Sequence, residues 1–217
     1  MLFDLRGRRR RAVQVTYLTL AVLMGGGLVL FGVGSDVSGG LLDVFKGGGG
    51  GGSDNSQLEK RIERAQTQLQ KSPNSEQTLA DLVRLNYQLA VSQTPSGSTQ
   101  IAEDGKDDLR KAGAYWDRYV KAVEDEPDPD LARVALLVFD TGGLNQPDKA
   151  KDAARVLAAD ANDTQTYLLL VRYAAAAGDK RIASLAAQKA VDLAPKDQRK
   201  AVARQAKQLQ ATAPSGQ

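Results

Sequence analysis

Neither cysteine nor histidine occurs among the 217 residues. The first absence excludes disulfides, acylated lipoprotein cysteines, thiolate metal sites and cysteine nucleophiles. The second removes the commonest general base and the commonest transition-metal ligand. Any catalysis is left to carboxylate, lysine, hydroxyl or phenol chemistry, which a constellation of residues would have to reveal. Mean hydropathy of −0.35 leaves no room for a polytopic membrane protein, although one span fits within that average. The length suits one domain with appendages.

The pI of 9.1 would ordinarily point to nucleic acid or anionic lipid. Its location decides otherwise. Residues 1–12 carry five arginines (Arg6, Arg8, Arg9, Arg10, Arg11) and one aspartate, a net of +4. Residues 13–53 carry Lys46 against Asp36 and Asp43, and from Asp54 onward 23 basic residues balance 23 acidic ones. A nucleic-acid-binding domain needs its cations on a folded face, so no nucleic-acid partner is expected.

Directly after the arginines, VQVTYLTLAVLMGGGLVLFGV (13–33) runs 21 residues without a charge. As a helix that is about 31 Å, the thickness of a hydrocarbon core. Gln14, Thr16, Tyr17 and Thr19 fall in its first two turns, at interfacial depth. The run exceeds a secretory h-region and no A-x-A site follows, so an uncleaved signal anchor is predicted. The arginine flank places residues 1–12 in the cytoplasm and the remainder beyond the cytoplasmic (inner) membrane, by the positive-inside rule. Ala21 and Gly25 form a small-xxx-small pair, a weak signal for approach of another membrane helix.

Thirteen of the 21 glycines lie between Gly25 and Gly52. Residues 34–53 therefore read as a flexible tether with a reach of about 25 Å. Within it, Leu41, Leu42, Val44 and Phe45 either dip into the outer headgroup layer or are a short apolar accident. The glycine run lacks the Lys-Ser/Thr and the flanking strand of a phosphate loop.

From Asn55 the periodicity is helical, with almost no alternation. Leu58, Ile62, Ala65 and Leu69 form one stripe, and Leu79, Leu82, Val83 and Leu89 mark a second helix over 75–90. Pro127 and Pro195 are 68 residues apart, and Pro73 precedes Pro127 by 54. These separations read as twice 34 and as 34 with an insertion, SQTPSGSTQ (92–100). A period of about 34 is the length of the tetratricopeptide repeat (TPR). Residues 164–195 resemble that family most fully, at Tyr167, Leu170, the Gly178-Asp179 turn, Ala183, Ala190 and Pro195. Val171, Ala174 and Ala187 depart from its pattern and imply a thinner core. The preceding repeat shows Leu136, Gly142-Gly143 and an alanine-rich second helix over 150–159. The first pairs 75–90 with a helix over 107–124, carrying Tyr119 and Ala122. Helix 56–71 precedes the array, and helix 196–210 reads as a solvating cap with Val202, Ala206 and Leu209 inward.

The expected fold is all-α: a transmembrane helix, a Gly-rich linker, and a TPR-like solenoid of about three repeats over 54–211. A disordered tail over 212–217 completes it. The acidic run 124–130 lacks calcium-loop spacing, and Asp128 and Asp130 read as cap and dipole partners of a helix over 131–141. Residues 103–108 likewise read as an acidic helix entrance, and Trp116 with Tyr119 as core. No Ser-x-x-Lys, carboxylate pair or phosphate motif appears, so no enzyme, metal or cofactor is expected.

The TPR resemblance implies protein or peptide partners on the concave face of the first helices. Carried over, that face comprises Gln77, Arg84, Tyr87 and Gln88, then Leu131, Val134 and Val138, then Gln165, Leu168 and Arg172. An apolar middle between two arginines suits an extended chain with exposed hydrophobic residues. The layout is similar to bacterial membrane-anchored TPR proteins that accompany the translocon and periplasmic folding factors. This implies unfolded or nascent envelope proteins, or the translocon itself, as partners. An adaptor in an envelope machine (division, pilus or cytochrome assembly) and an organelle import receptor of opposite topology remain open.

Overall fold

Leu58, Ile62 and Leu69 are buried on one side of α1 (Ser53–Lys71), so the first apolar stripe marks a packed helix face. The computed structural model describes residues 53–124 and 126–211, which belong to one compact unit. The basic tail with Arg6, Arg8, Arg9, Arg10 and Arg11, the span 13–33, the tether up to Gly52 and the tail 212–217 lie outside the described residues. No helix among the described residues is long and apolar enough to cross a membrane.

After α1 come α2 (Glu76–Ser92), a 3-10 turn (Glu103–Gly105), α3 (Lys106–Ala122), α4 (Pro129–Phe139) and α5 (Pro147–Ala161). Then follow α6 (Thr164–Ala176), α7 (Lys180–Leu193) and α8 (Arg199–Ala211). The described residues hold no strand. The described part of the chain is therefore all-α, with helix ends within a few residues of those expected.

Each helix packs against its neighbours in sequence, and α2 also reaches α4 while α6 reaches α8. The middle is different: no Cα of α4 comes within 8 Å of one in α6, and both lean on α5 instead. That helix buries Ala150, Ala153, Ala154, Ala158 and Leu157. Its alanines let it sit close to two partners at once, at the expense of apolar area.

Turn chemistry explains the sharp reversals. Gly178 has φ +73° and ends α6: its N–H donates to Ala175 O, and that of Asp179 to Ala174 O. This is the Schellman arrangement, which a Cβ would strain. Asp179 then caps α7 by accepting from Ile182 N at 2.9 Å. Between α5 and α6 the left-handed Asn162 (φ 45°) ends the helix with its N–H on Ala158 O, and Asp163 caps the next by accepting from Thr166 N at 2.8 Å. These backbone hydrogen bonds hold the carboxyls of Asp163 and Asp179 below the usual aspartate range. A depressed folded pKa contributes stability above the unfolded value of about 4, lost as pH falls through the folded value. Acid titration followed by residue-resolved amide exchange is expected to loosen the starts of α6 and α7 below pH 4. Asp163→Asn keeps a capping acceptor that does not titrate and should abolish the acid-dependent loosening at the start of α6; the same loosening in that variant would refute the assignment.

The insertion is an ordered strap. Ile101 N donates to Gly142 O at 2.9 Å, and Thr94 Oγ1 ties Ala90 O to Ala102 N. The segment between α2 and α3 thus lies against the α4–α5 turn. Gly143 in that turn tolerates no side chain, since a Cβ would come 2.3 Å from Val138 O.

Residues singled out for the repeat pattern fall as follows. Tyr119, Leu170, Ala183 and Ala190 are buried, Tyr167, Ala122 and Pro127 half-buried, and Pro73 and Pro195 exposed in turns. Trp116 and Tyr119 stack at 5.6 Å, and the Tyr119 hydroxyl accepts from Asp128 N at 3.0 Å.

Candidate functional site

Helical periodicity sets which side chains of α2, α4 and α6 meet solvent. On α2 these are Gln77 and Asp81, with Arg84, Tyr87 and Gln88 half-buried. On α6 they are Gln165 and Arg172, with Leu169 half-buried between. The middle helix corrects the expectation. Leu131, Val134 and Val138 are all at most 1 % exposed, held in the core by the neighbours of α4. The solvent positions lie one residue away, at Asp130, Arg133 and Leu137, and Leu137 is 49 % exposed. Leu168 is also buried, in a small cluster with Ala190, Ala194, Val202 and Ala206 that seats the terminal helix.

Both arginines of the expected face reach α4, at opposite ends. Arg84 donates to Asp128 at 3.0 Å, while the other oxygen of that carboxylate accepts from Asp130 N at 2.8 Å to cap the helix. Arg172 lies 3.9 Å from Asp140, just past the C-terminus of α4, and covers the Tyr173 ring at 5.3 Å. Burial first, then the Asp140 charge and its hydrogen bond, push the Tyr173 hydroxyl up to about 12. It therefore donates to Asp140 throughout the physiological range. The guanidinium groups bind the array together while their outer sides stay open to a partner. Half-exposed pairs of this kind contribute no more than about 1 kcal/mol each.

A concavity opens between α3 and α5. It encloses about 610 Å³ over a floor of Trp116, Val120, Val123, Pro127, Val156 and Ala159. An Asp117–Lys149 pair at 2.6 Å closes one rim, and Arg155 faces Asp152 at 3.7 Å on another. Sequence reading missed this cleft. Its available signal was Val120, an apolar residue on the solvent side of a helix and 41 % exposed. Of the acidic residues read as helix entrances, Asp128 is a helix cap. Asp108, buried at the start of α3, accepts from Gln93 at 3.0 Å and Lys111 at 2.7 Å.

No family model, curated protein or solved structure matches this chain. Function is therefore argued from the two surfaces themselves. Neither gathers the nucleophile, base and oxyanion donors that group transfer needs. The cleft between α3 and α5 combines an apolar floor with a charged rim, whereas the solvent-facing positions of α2, α4 and α6 are polar apart from Leu137 and the half-buried Tyr87 and Leu169.

Proposed function

We propose that the chain is a membrane-anchored, TPR-like scaffold that engages protein or peptide partners outside the cytoplasmic membrane, assisting secretion or folding of envelope proteins. The observation that carries this reading is the sequential helix packing, which leaves α2, α4 and α6 each with a solvent-facing row. Leu137 stands exposed on α4 one turn from the exposed Arg133, and Arg172 of α6 reaches Asp140 at the end of the same helix, a pattern suited to an extended chain with apolar side chains. The charge-free run 13–33 behind five arginines supports the anchor and its orientation.

A reporter fused after Gln217 tests topology: activity in the cytoplasm overturns the orientation. Photo-crosslinking from position 137 is expected to trap many heterogeneous polypeptides, and Leu137→Asp combined with Arg172→Ala to reduce that capture about tenfold. Such a loss corresponds to roughly 1.4 kcal/mol of binding. A second reading, an adaptor holding one fixed partner, is favoured by the defined cleft between α3 and α5. It predicts a single crosslinked species from position 120 and none from position 137.

A further inference from the structure

The charge balance from Asp54 onward is the sum of two opposite halves. Residues 54–179 hold 15 basic and 21 acidic side chains, a net of −6. Residues 180–217 hold 8 basic and 2 acidic ones, a net of +6. Ion pairing divides the same way. Nine of the 15 cations in the acidic part are paired, whereas none of the eight beyond Asp179 forms an ion pair among the described residues. All eight are exposed.

Five of them, Lys196, Arg199, Lys200, Arg204 and Lys207, belong to α8 or its approach. At 100° per residue, Lys200, Arg204 and Lys207 form a row on the side of α8 opposite the buried Val202 and Ala206. On α7, Arg181 projects opposite the buried Ala183, Ala186 and Ala190, with Lys180 and Lys189 exposed on its flanks. Between the two helices lies only a shallow alanine- and valine-floored groove.

We propose that this terminal hairpin docks on anionic lipid headgroups. Its setting rests on the membrane-anchored reading; the electrostatic argument does not. Lysines and arginines that form no ion pair among the described residues, of which Arg199 donates to the carbonyls of Ala194 and Asp192, spread over an open surface and recognise charge density, which a bilayer of acidic lipids provides. Residues 180–217 contain no aromatic side chain, so the stacking platform of a single-stranded nucleic-acid site is missing. The apolar side of α8 is already used inside the array, so the helix adsorbs through charge and does not insert. The acidic remainder of the domain is repelled by the same surface, which turns the molecule hairpin-first.

The lack of native cysteine makes a single label unambiguous. Full-length Gln205→Cys protein carrying a donor dye is reconstituted into phosphatidylcholine vesicles with or without phosphatidylglycerol, and with headgroup-labelled acceptor. Energy transfer is expected to rise above the baseline set by the tether in pure phosphatidylcholine only when phosphatidylglycerol is present, and to return to that baseline at about 0.5 M salt, where screening acts within a few ångströms. Adding Lys200→Gln, Arg204→Gln and Lys207→Gln should reduce the docked-to-free ratio roughly a hundredfold, given three additive contacts. The swap Lys200→Arg, Arg204→Lys, Lys207→Arg should preserve it, with helicity by circular dichroism checked for both. Transfer that ignores phosphatidylglycerol, or a rise that survives the glutamine variant, overturns the proposal. So does capture of duplex DNA in place of lipid-dependent transfer. Resistance to alkaline extraction reports the anchor separately. Extractable protein that still docks refutes the anchor alone, and inserted protein that never docks refutes the hairpin alone.

Discussion

Phe139→Ala is expected to lower the unfolding free energy by about 3–5 kcal/mol, read from urea denaturation, the largest stability loss of any single truncation proposed for this domain. The ring is 1 % exposed and lies where three helices meet. From α3, Gly113 presents bare backbone: a Cβ there would come 2.9 Å from the ring. From α5, the Lys149 ammonium sits 5.2 Å from its centroid while also pairing with Asp117. Truncation leaves a void that a glycine cannot fill and that the paired lysine is held away from. Domains are stable by roughly 5–15 kcal/mol, so the variant would sit near the threshold for folding. Phe139→Leu should recover more than half of the loss. A cost below 1 kcal/mol for Phe139→Ala would show that the ring is not the wedge the geometry describes.

Asn86→Asp is expected to cost a similar amount at neutral pH, for an electrostatic reason. Asn86 is 0 % exposed on α2, and its Nδ2 donates to Leu82 O at 2.7 Å. Its Oδ1 is buried without a hydrogen-bond partner among the described residues. A carboxylate there loses the donor and places an uncompensated charge in the core, a change of about 3–5 kcal/mol. The sign with pH follows. Burial raises the folded pKa of the new aspartate above its unfolded value, so the penalty is full at neutral pH. It shrinks as pH falls toward about 4, where the acid form can again donate to Leu82 O. Asn86→Leu removes the orphaned acceptor and should leave stability unchanged or raise it by about 1 kcal/mol. Parallel unfolding series at two pH values decide the matter. Equal losses for aspartate at both would refute the burial argument.

The successes and failures of sequence reading have identifiable causes. Stripes such as Leu79, Leu82, Val83 and Leu89 were legible because polar residues separate them, leaving one possible inward face. The Gly178-Asp179 turn was legible because few residue pairs serve both as a left-handed stop and as an N-cap. Helix α4 was not, for its core LARVALLV is apolar on nearly every side. Periodicity alone could not choose between Val138 and Leu137, and only the neighbours of α4 settle which is covered. Leu168 sits in the same kind of run, YLLLV, and failed for the same reason. The strap could be seen as an insertion, but its hydrogen bond from Ile101 to Gly142 joins segments distant in sequence. The charge of the domain was counted correctly as zero, and the count concealed the polarity because opposite excesses cancel.

The alanine-rich α5 has a consequence for how the domain holds together as a whole. Since no Cα of α4 comes within 8 Å of one in α6, the four helices before α5 and the three after it are coupled chiefly through that one helix. A few side-chain ties at Asp140 supplement it. A load carried between the two ends of the domain therefore passes mainly through α5, so the mechanical continuity of the array depends on that one close-packed helix.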